Sequence, residues 1–496
     1  MQDTTKFPSP IYQETVLEPI FNAFKAEYYQ DMLSVNYAHA VMLIEQGILT
    51  KREGQQIIAA LKEIEQELDP QSLEYTGEYE DLFFYVEKQL ISKIGIETAG
   101  KLHTGRSRND INITLFKMKT KEYLRGLLRE LLHLQETLLQ AAEENKDTIV
   151  VAYTHGQPAQ PTTLGHYLGA LIEILQRDFR RLSSAYSTTD QCSMGAAAIT
   201  TTGFPLNRER MAELLGFAQP QENSYGCIAA VDYLLEVYSA VKTLFINLGR
   251  FAQDLGFWTA FELGHLYVPN EFVQISSIMP QKRNPVAVEH IRIQASLVAG
   301  LCSTVIDSLH NTPFTDMNDA EDPLQTVAFE ALKRGARCLK LIAGFTGGLK
   351  VVEEKVQKHI AETFVTITEL ADSLVRTEGL SFRTAHEVCS HLVRALIAQG
   401  NTLDRLSFQD FQSAFAAVVG REPKISPEQL AQFLDPAYFV QVRRVFGGPA
   451  PEALAASLAR YRAQLASQQD LLGELEARVE QAAEKLSRAV AAVLSD

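Results

Sequence analysis

The sequence predicts an all-α protein organised around a bundle of long helices. Three observations carry that expectation. Apolar residues recur at three- and four-residue steps over long stretches, the period of a helix with one buried face. Five such stretches follow one another in the middle of the chain. Alternating apolar and polar runs, the pattern of a half-buried strand, are weak throughout.

Taken in order, residues 1–110 hold shorter helical patterns at 41–46 and 55–67, with a loop near 69–77. The first long helix is predicted over 119–145. Leu124, Leu127, Leu128, Leu131, Leu132, Leu138 and Leu139 share one face, and Gly126 alone interrupts it. About 28 residues at 1.5 Å each give a helix roughly 40 Å long. Further helices are predicted over 163–187, 228–255, 285–310 and 324–343, the one over 228–255 striped by Val231, Leu234, Leu235, Val241, Leu244, Phe245 and Leu248. Five such helices read as a bundle. They offer more apolar surface than one chain buries, so oligomerisation is expected. After about residue 347 the helices shorten, with turns at 400–402, 420–423 and 447–451. The tail is rich in Ala, Gln, Glu and Arg and reads as amphipathic surface helix.

Composition excludes several classes. A chain of 496 residues is too long for one compact core. Its net charge of −15 offers no basic face for a nucleic-acid backbone. Five cysteines, an odd number without a C-x-x-C pair, argue against a disulfide framework and a thiolate zinc site and for buried, reduced thiols. Residues 1–10 are polar, broken by Pro8 and Pro10, and lack a signal peptide's apolar core. No apolar run reaches the roughly 18–20 residues of a membrane span. A soluble, cytoplasmic protein without a nucleic-acid or membrane partner is expected.

Three polar segments break the helical pattern. In Lys101-Leu102-His103-Thr104-Gly105-Arg106-Ser107-Arg108-Asn109-Asp110, arginine forks suit carboxylates and Gly105 lets backbone approach a ligand. The same residues also suit an ordinary helix start, capped by Asn109 or Asp110. In Thr154-His155-Gly156-Gln157-Pro158-Ala159-Gln160-Pro161-Thr162-Thr163, the prolines bar a helix, Thr162 or Thr163 can cap the next one, and His155 lies in a loop. A loop histidine is a candidate proton carrier, though more often merely solvated. In Gln274-Ile275-Ser276-Ser277-Ile278-Met279-Pro280-Gln281-Lys282-Arg283-Asn284-Pro285, Asn284 followed by Pro285 predicts an N-cap and a first helical residue. Ser276, Ser277 and Lys282 then lie on a loop entering a helix N-terminus, where anions are favoured.

The third segment resembles the signature loop of the fumarase/aspartase superfamily. HTGRSRND, preceded by Ala99-Gly100-Lys101-Leu102, resembles argininosuccinate lyases in particular. Ala38-His39-Ala40, Asn223-Ser224, Phe433-Leu434-Asp435-Pro436 and Gly447-Gly448 fit the same family, so the match spans nearly the whole chain. The resemblance implies three helical domains (1-112, 113-364 and 365-496), a homotetramer with a twenty-helix core, and active sites each built from three subunits. It implies no metal or cofactor. The implied reaction is a reversible anti elimination that splits argininosuccinate into arginine and fumarate. Carried over by position, Ser276 is the base, with Ser277 as the alternative. His155, oriented by Glu289, protonates the leaving nitrogen. Lys282 and Asn284 hold the reacting carboxylate, and Arg108, Asn109 and Thr154 hold the fumarate half, with Ser107 beside them.

The amine half departs from the family. Asn36 stands where a serine is usual, and Ile275 where a glycine is usual. In 314–323, FTDMNDAEDP, Phe314, Asn318 and Glu321 stand at or near a tyrosine, a glutamine and a lysine. Asn36 and Asn318 are therefore candidate contacts to an altered amine, and a different N-substituted aspartate is the alternative substrate. A non-catalytic structural homologue is the alternative from another class.

Overall fold

A computed structural model describes residues 7–495. Residues 1–6, part of the N-terminal stretch read above, lie outside the described residues. The protein is all-α, and its few strands form two-stranded ribbons. Helices of eight residues or more are numbered here in chain order.

The N-terminal layer holds α1 (Glu18–Glu45), α2 (Lys51–Glu67) and α3 (Leu82–Ile94). The centre holds α4 (Arg108–Glu144), α5 (Leu164–Thr189), α6 (Asp232–Thr259), α7 (Val286–Ser308) and α8 (Asp322–Gly347). These are the five predicted helices. The first is longer than expected, at 37 residues, because Arg108 and Asn109 belong to it. The predicted leucine stripe is its buried face, each of the seven 0–5% exposed. At about 1.5–3 kcal/mol per fully buried side chain, such stripes rather than helix propensity hold the bundle. In the bundle α4 packs on α5 and α8, and α6 on α5 and α7.

Between α4 and α5 runs an antiparallel hairpin, β1 (Ile149–Thr154) and β2 (Gln157–Thr163), where a plain loop was expected. Pro158 and Pro161 are tolerated in β2 because a two-stranded ribbon has a free edge for each strand. Thr163 caps α5, accepting from the His166 N–H.

The smaller helices α9 (Glu353–Thr363), α10 (Ile367–Glu378), α11 (Phe382–Ala398), α12 (Phe408–Val419) and α13 (Pro427–Leu434) follow. A separate apolar cluster from Leu370 to Phe433 joins α10 to α13. The tail is one 45-residue helix, α14 (Pro451–Ser495), which leaves that cluster. Leu454, Leu458, Leu465 and Leu472 enter the central core, and Leu486 and Val490 enter the N-terminal one. All five cysteines are buried and free. Among the described residues no helix is long and apolar enough to cross a membrane.

Candidate active site

The HTGRSRND segment forms the N-terminal end of α4. Its cap is Ser107, rather than Asn109 or Asp110, because Asp110 reaches back from the first turn and accepts the Ser107 N–H at 2.8 Å. The other Asp110 oxygen accepts the N–H groups of Gly195 and Ala197 at 2.9 and 3.0 Å. Burial pushes this carboxyl up to about 6, against the hydrogen bonds that lower it. Gly105 turns at φ 73, and a Cβ there would sit 2.9 Å from Leu206.

Around this turn the polar side chains are held from several sides. Arg106 is buried and donates to the Asn36 Oδ1 at 2.7 Å, so the Asn36 amide, 4% exposed, is engaged by protein. Arg108 pairs with Asp81 at 2.8 Å and Glu80 at 3.2 Å and lies over the Phe84 ring. Asp81 also caps α3, accepting the Phe84 N–H. Asn109 receives the Ser107 hydroxyl on its Oδ1 at 2.7 Å and donates its amide to Asp316. Tyr225 stacks on Phe314 and donates its hydroxyl to the Phe314 carbonyl at 3.0 Å. Asn318 is exposed in the short 3-10 turn Asn318–Ala320.

The other two segments sit at the opposite end of the bundle. His155 and Gly156 form the two-residue tip of the β1–β2 hairpin, at φ 54 and 72. Two positive φ values are what a tight turn matching the strand twist needs. The tip presents Thr154 and His155 to solvent, and His155 makes no hydrogen bond or ion pair among the described residues. Beneath it, Tyr153 bonds His359 of α9 at 2.9 Å and packs edge-on against Phe257 of α6.

The serine loop is a second small hairpin, Gln274–Ile275 against Arg283–Asn284. Asn284 therefore belongs to a strand pair and is not the N-cap of α7, which starts at Val286 with Pro285 before it. The Ser276 oxygen accepts N–H groups from Ile278 at 3.4 Å and Met279 at 3.1 Å. Ser277 and Lys282 are exposed, as is Glu289 in the first turn of α7. No hydrogen bond joins Glu289 to His155 among the described residues.

Within one chain, then, the candidates fall into two groups. Ser107, Arg108, Asn109, Asn36 and Asn318 gather at the start of α4. Thr154, His155, Ser276, Ser277, Lys282, Asn284 and Glu289 gather beyond its far end. A 37-residue helix separates them, about 55 Å. Sequence reasoning passed over Asp81, Asp110, Asp316, Asp322 and Tyr225 as site residues. Asp81 carried a local signal, a carboxylate before the apolar run Leu82-Phe83-Phe84, and Asp110, Asp316 and Asp322 lie in segments that the sequence already singled out.

Comparison with known proteins shows the family of the chain. A family model described as lyase matches residues 9–300, and one described as argininosuccinate lyase C-terminal matches residues 364–441. The chain is 50% identical to argininosuccinate lyase 2 of Agrobacterium fabrum, over 93% of this chain and 92% of that one. It is 34% identical to argininosuccinate lyase 1 of Shouchella clausii, over 98% and 97%. Among solved structures, EDDS lyase in complex with formate superposes with a TM-score of 0.87 at 30% identity, covering 99% of this chain and 97% of that one.

Proposed function

Because the chain belongs to the argininosuccinate lyase family, within the fumarase/aspartase superfamily, we propose that it is a carbon–nitrogen lyase that cleaves argininosuccinate to arginine and fumarate. The observation that carries this reading is the 50% identity to argininosuccinate lyase 2 over 93% of the chain.

The chemistry follows from what the residues offer. A base takes the proton from the carbon beside the succinyl carboxylate, and the electron pair spreads into that carboxylate as a dianion. The C–N bond then breaks, and the nitrogen leaves as it gains a proton. Ser276 suits the base role better than Ser277, because the Ile278 and Met279 N–H groups already point at its oxygen and favour the ionised form. Lys282 and Asn284 supply a cation and an amide for the dianion. Arg108, Asn109 and Thr154 grip the fumarate half, with Ser107 ordering Asn109. His155, on its exposed tip, carries the proton to the leaving nitrogen, with Glu289 as its partner.

These groups lie at two ends of one molecule, so the working site needs several copies. The exposed apolar residues Ile246 and Phe257 on α6, and Ile293 and Leu297 on α7, supply a packing face for them. A homotetramer with antiparallel bundles brings the start of one α4 against the serine loop and hairpin of others. The cytoplasm, where arginine biosynthesis runs, is the expected location.

A second reading keeps the chemistry and changes the amine. The structural likeness to EDDS lyase and the acidic run 314–322 favour another N-substituted aspartate. Supplying argininosuccinate and following fumarate absorbance separates the two. Rapid turnover, abolished in Ser276→Ala with the assembly intact, is the expected result. Turnover that survives Ser276→Ala removes Ser276 from the mechanism, and failure with argininosuccinate leaves the second reading.

A further inference from the structure

The segment from the end of α7 to the first residue of α8 contains four acids in seven residues, Asp316, Asp319, Glu321 and Asp322, and its next basic residue is Lys333. It folds against the start of α4, where Asp316 receives the Asn109 amide. Asp322 is 8% exposed, and its Oδ1, sealed from solvent, has no hydrogen-bond partner. The Glu321 carboxylate has none among the described residues either. Arg108 is the cation whose charge reaches Glu321, and it is already held by Asp81 and Glu80. Burial first, then repulsion from Asp316, Asp322 and Asp81, pushes Glu321 up to about 7; burial, then Asp81, does the same for Asp322. Two residues before Asp316, Phe314 stacks on Tyr225, and both rings are exposed, 71% and 41%.

A buried carboxylate oxygen without a donor is costly unless a cation or donor arrives. Exposed aromatic faces beside it suit an aliphatic stem and a positive head. Resting on the lyase reading above, we propose that Asp316, Glu321 and Asp322, under the Tyr225–Phe314 rim, form the subsite for the leaving amine and select an amine half that carries a second, positively charged nitrogen. Arginine meets that requirement through its α-ammonium group, but brings its own carboxylate towards the same three acids. A diamine or an aminoalkyl guanidine meets it without that carboxylate.

The test uses the assembled enzyme in the addition direction, following loss of fumarate as a nitrogen nucleophile adds to one alkene carbon and a proton to the other. The probes are matched pairs: agmatine against butylguanidine, 1,2-diaminoethane against ethylamine, with arginine and 4-guanidinobutyrate alongside. One charge-assisted contact corresponds to roughly 10–100-fold in kcat/KM. We expect at least that preference for the cationic member of whichever pair reacts, with agmatine at or above arginine and 4-guanidinobutyrate far below both. Glu321→Gln and Asp316→Asn should collapse the ratio within the reacting pair towards one. Equal rates within the pair, or 4-guanidinobutyrate matching agmatine, overturn the subsite while leaving the lyase standing. A uniform loss across the panel in Glu321→Gln also overturns it, since the acids would then be holding a cation of the protein itself. Consumption of fumarate with none of the probes, arginine included, overturns the argininosuccinate reading and the subsite with it.

Discussion

Glu321 and Asp322 show how a single buried carboxylate sets a pH dependence. Both are pushed up to about 7, from ordinary values of 4.5 and 3.8, chiefly by burial. A folded-state value above the unfolded one means that stability is full below the unfolded value and is lost as pH rises through about 7. His39 and His265 act in the opposite sense. Burial lowers them to about 3 and about 4, so their contribution is present above the ordinary 6.5 and is lost as pH falls towards those values. The acid and the histidine effects therefore separate along the pH axis. Glu321→Gln removes a charge that is uncomfortable only when ionised. At pH 8 it should stabilise the protein by about 2 kcal/mol, and at pH 4.5 by less than about 0.5 kcal/mol. Denaturant midpoints at the two pH values measure this. Equal shifts would place the effect in packing rather than charge.

At the scale of elements, legibility in the sequence followed from how each one meets its surroundings. The five bundle helices bury one face each, so their stripes were readable. Of α1 only 41–46 was read as helical, because Val35 through Leu43 are all buried and leave little polar face for a period to show. The β1–β2 hairpin was hidden by its prolines, whose tolerance depends on a free ribbon edge that no local pattern announces. The candidate motifs were legible as clusters of chemistry. Their caps were not, since Ser107, Asn109 and Asp110 are all plausible caps, and the bond from the Ser107 N–H to Asp110 that decides among them shows only in the fold. The hairpin yields a test of its own. Gly156 sits at φ 72, so Gly156→Ala strains the turn by roughly 1 kcal/mol and displaces the His155 tip. We expect kcat to fall at least tenfold, out of proportion to a melting shift of a few degrees. A fall in kcat no larger than the stability loss accounts for would detach the tip geometry from catalysis.

For the whole molecule, the decisive fact is the length of α4. It holds Arg108 and Asn109 at one end and, through the hairpin it leads into, His155 at the other. No rearrangement of side chains closes a gap of about 55 Å, so on the roles proposed above a single chain carries the parts of a site without carrying the site. The sequence contained the parts in order, but their separation appears only once the helix between them is continuous. The 45-residue α14 stiffens this arrangement by running from the central core to the N-terminal one, so both ends of the bundle are fixed relative to each other. Such a frame suits sites completed by neighbours related by symmetry.

Mixing two inactive variants measures this directly. Ser276→Ala and Arg108→Ala each remove one end of the site, and each homo-oligomer should be without turnover. If every site takes its serine loop and its arginine segment from different chains, a one-to-one hybrid contains intact sites in about one case in four, and the mixture should regain about a quarter of wild-type activity. A hybrid that forms, as shown by exchange of tagged chains, yet stays inactive would contradict the shared site.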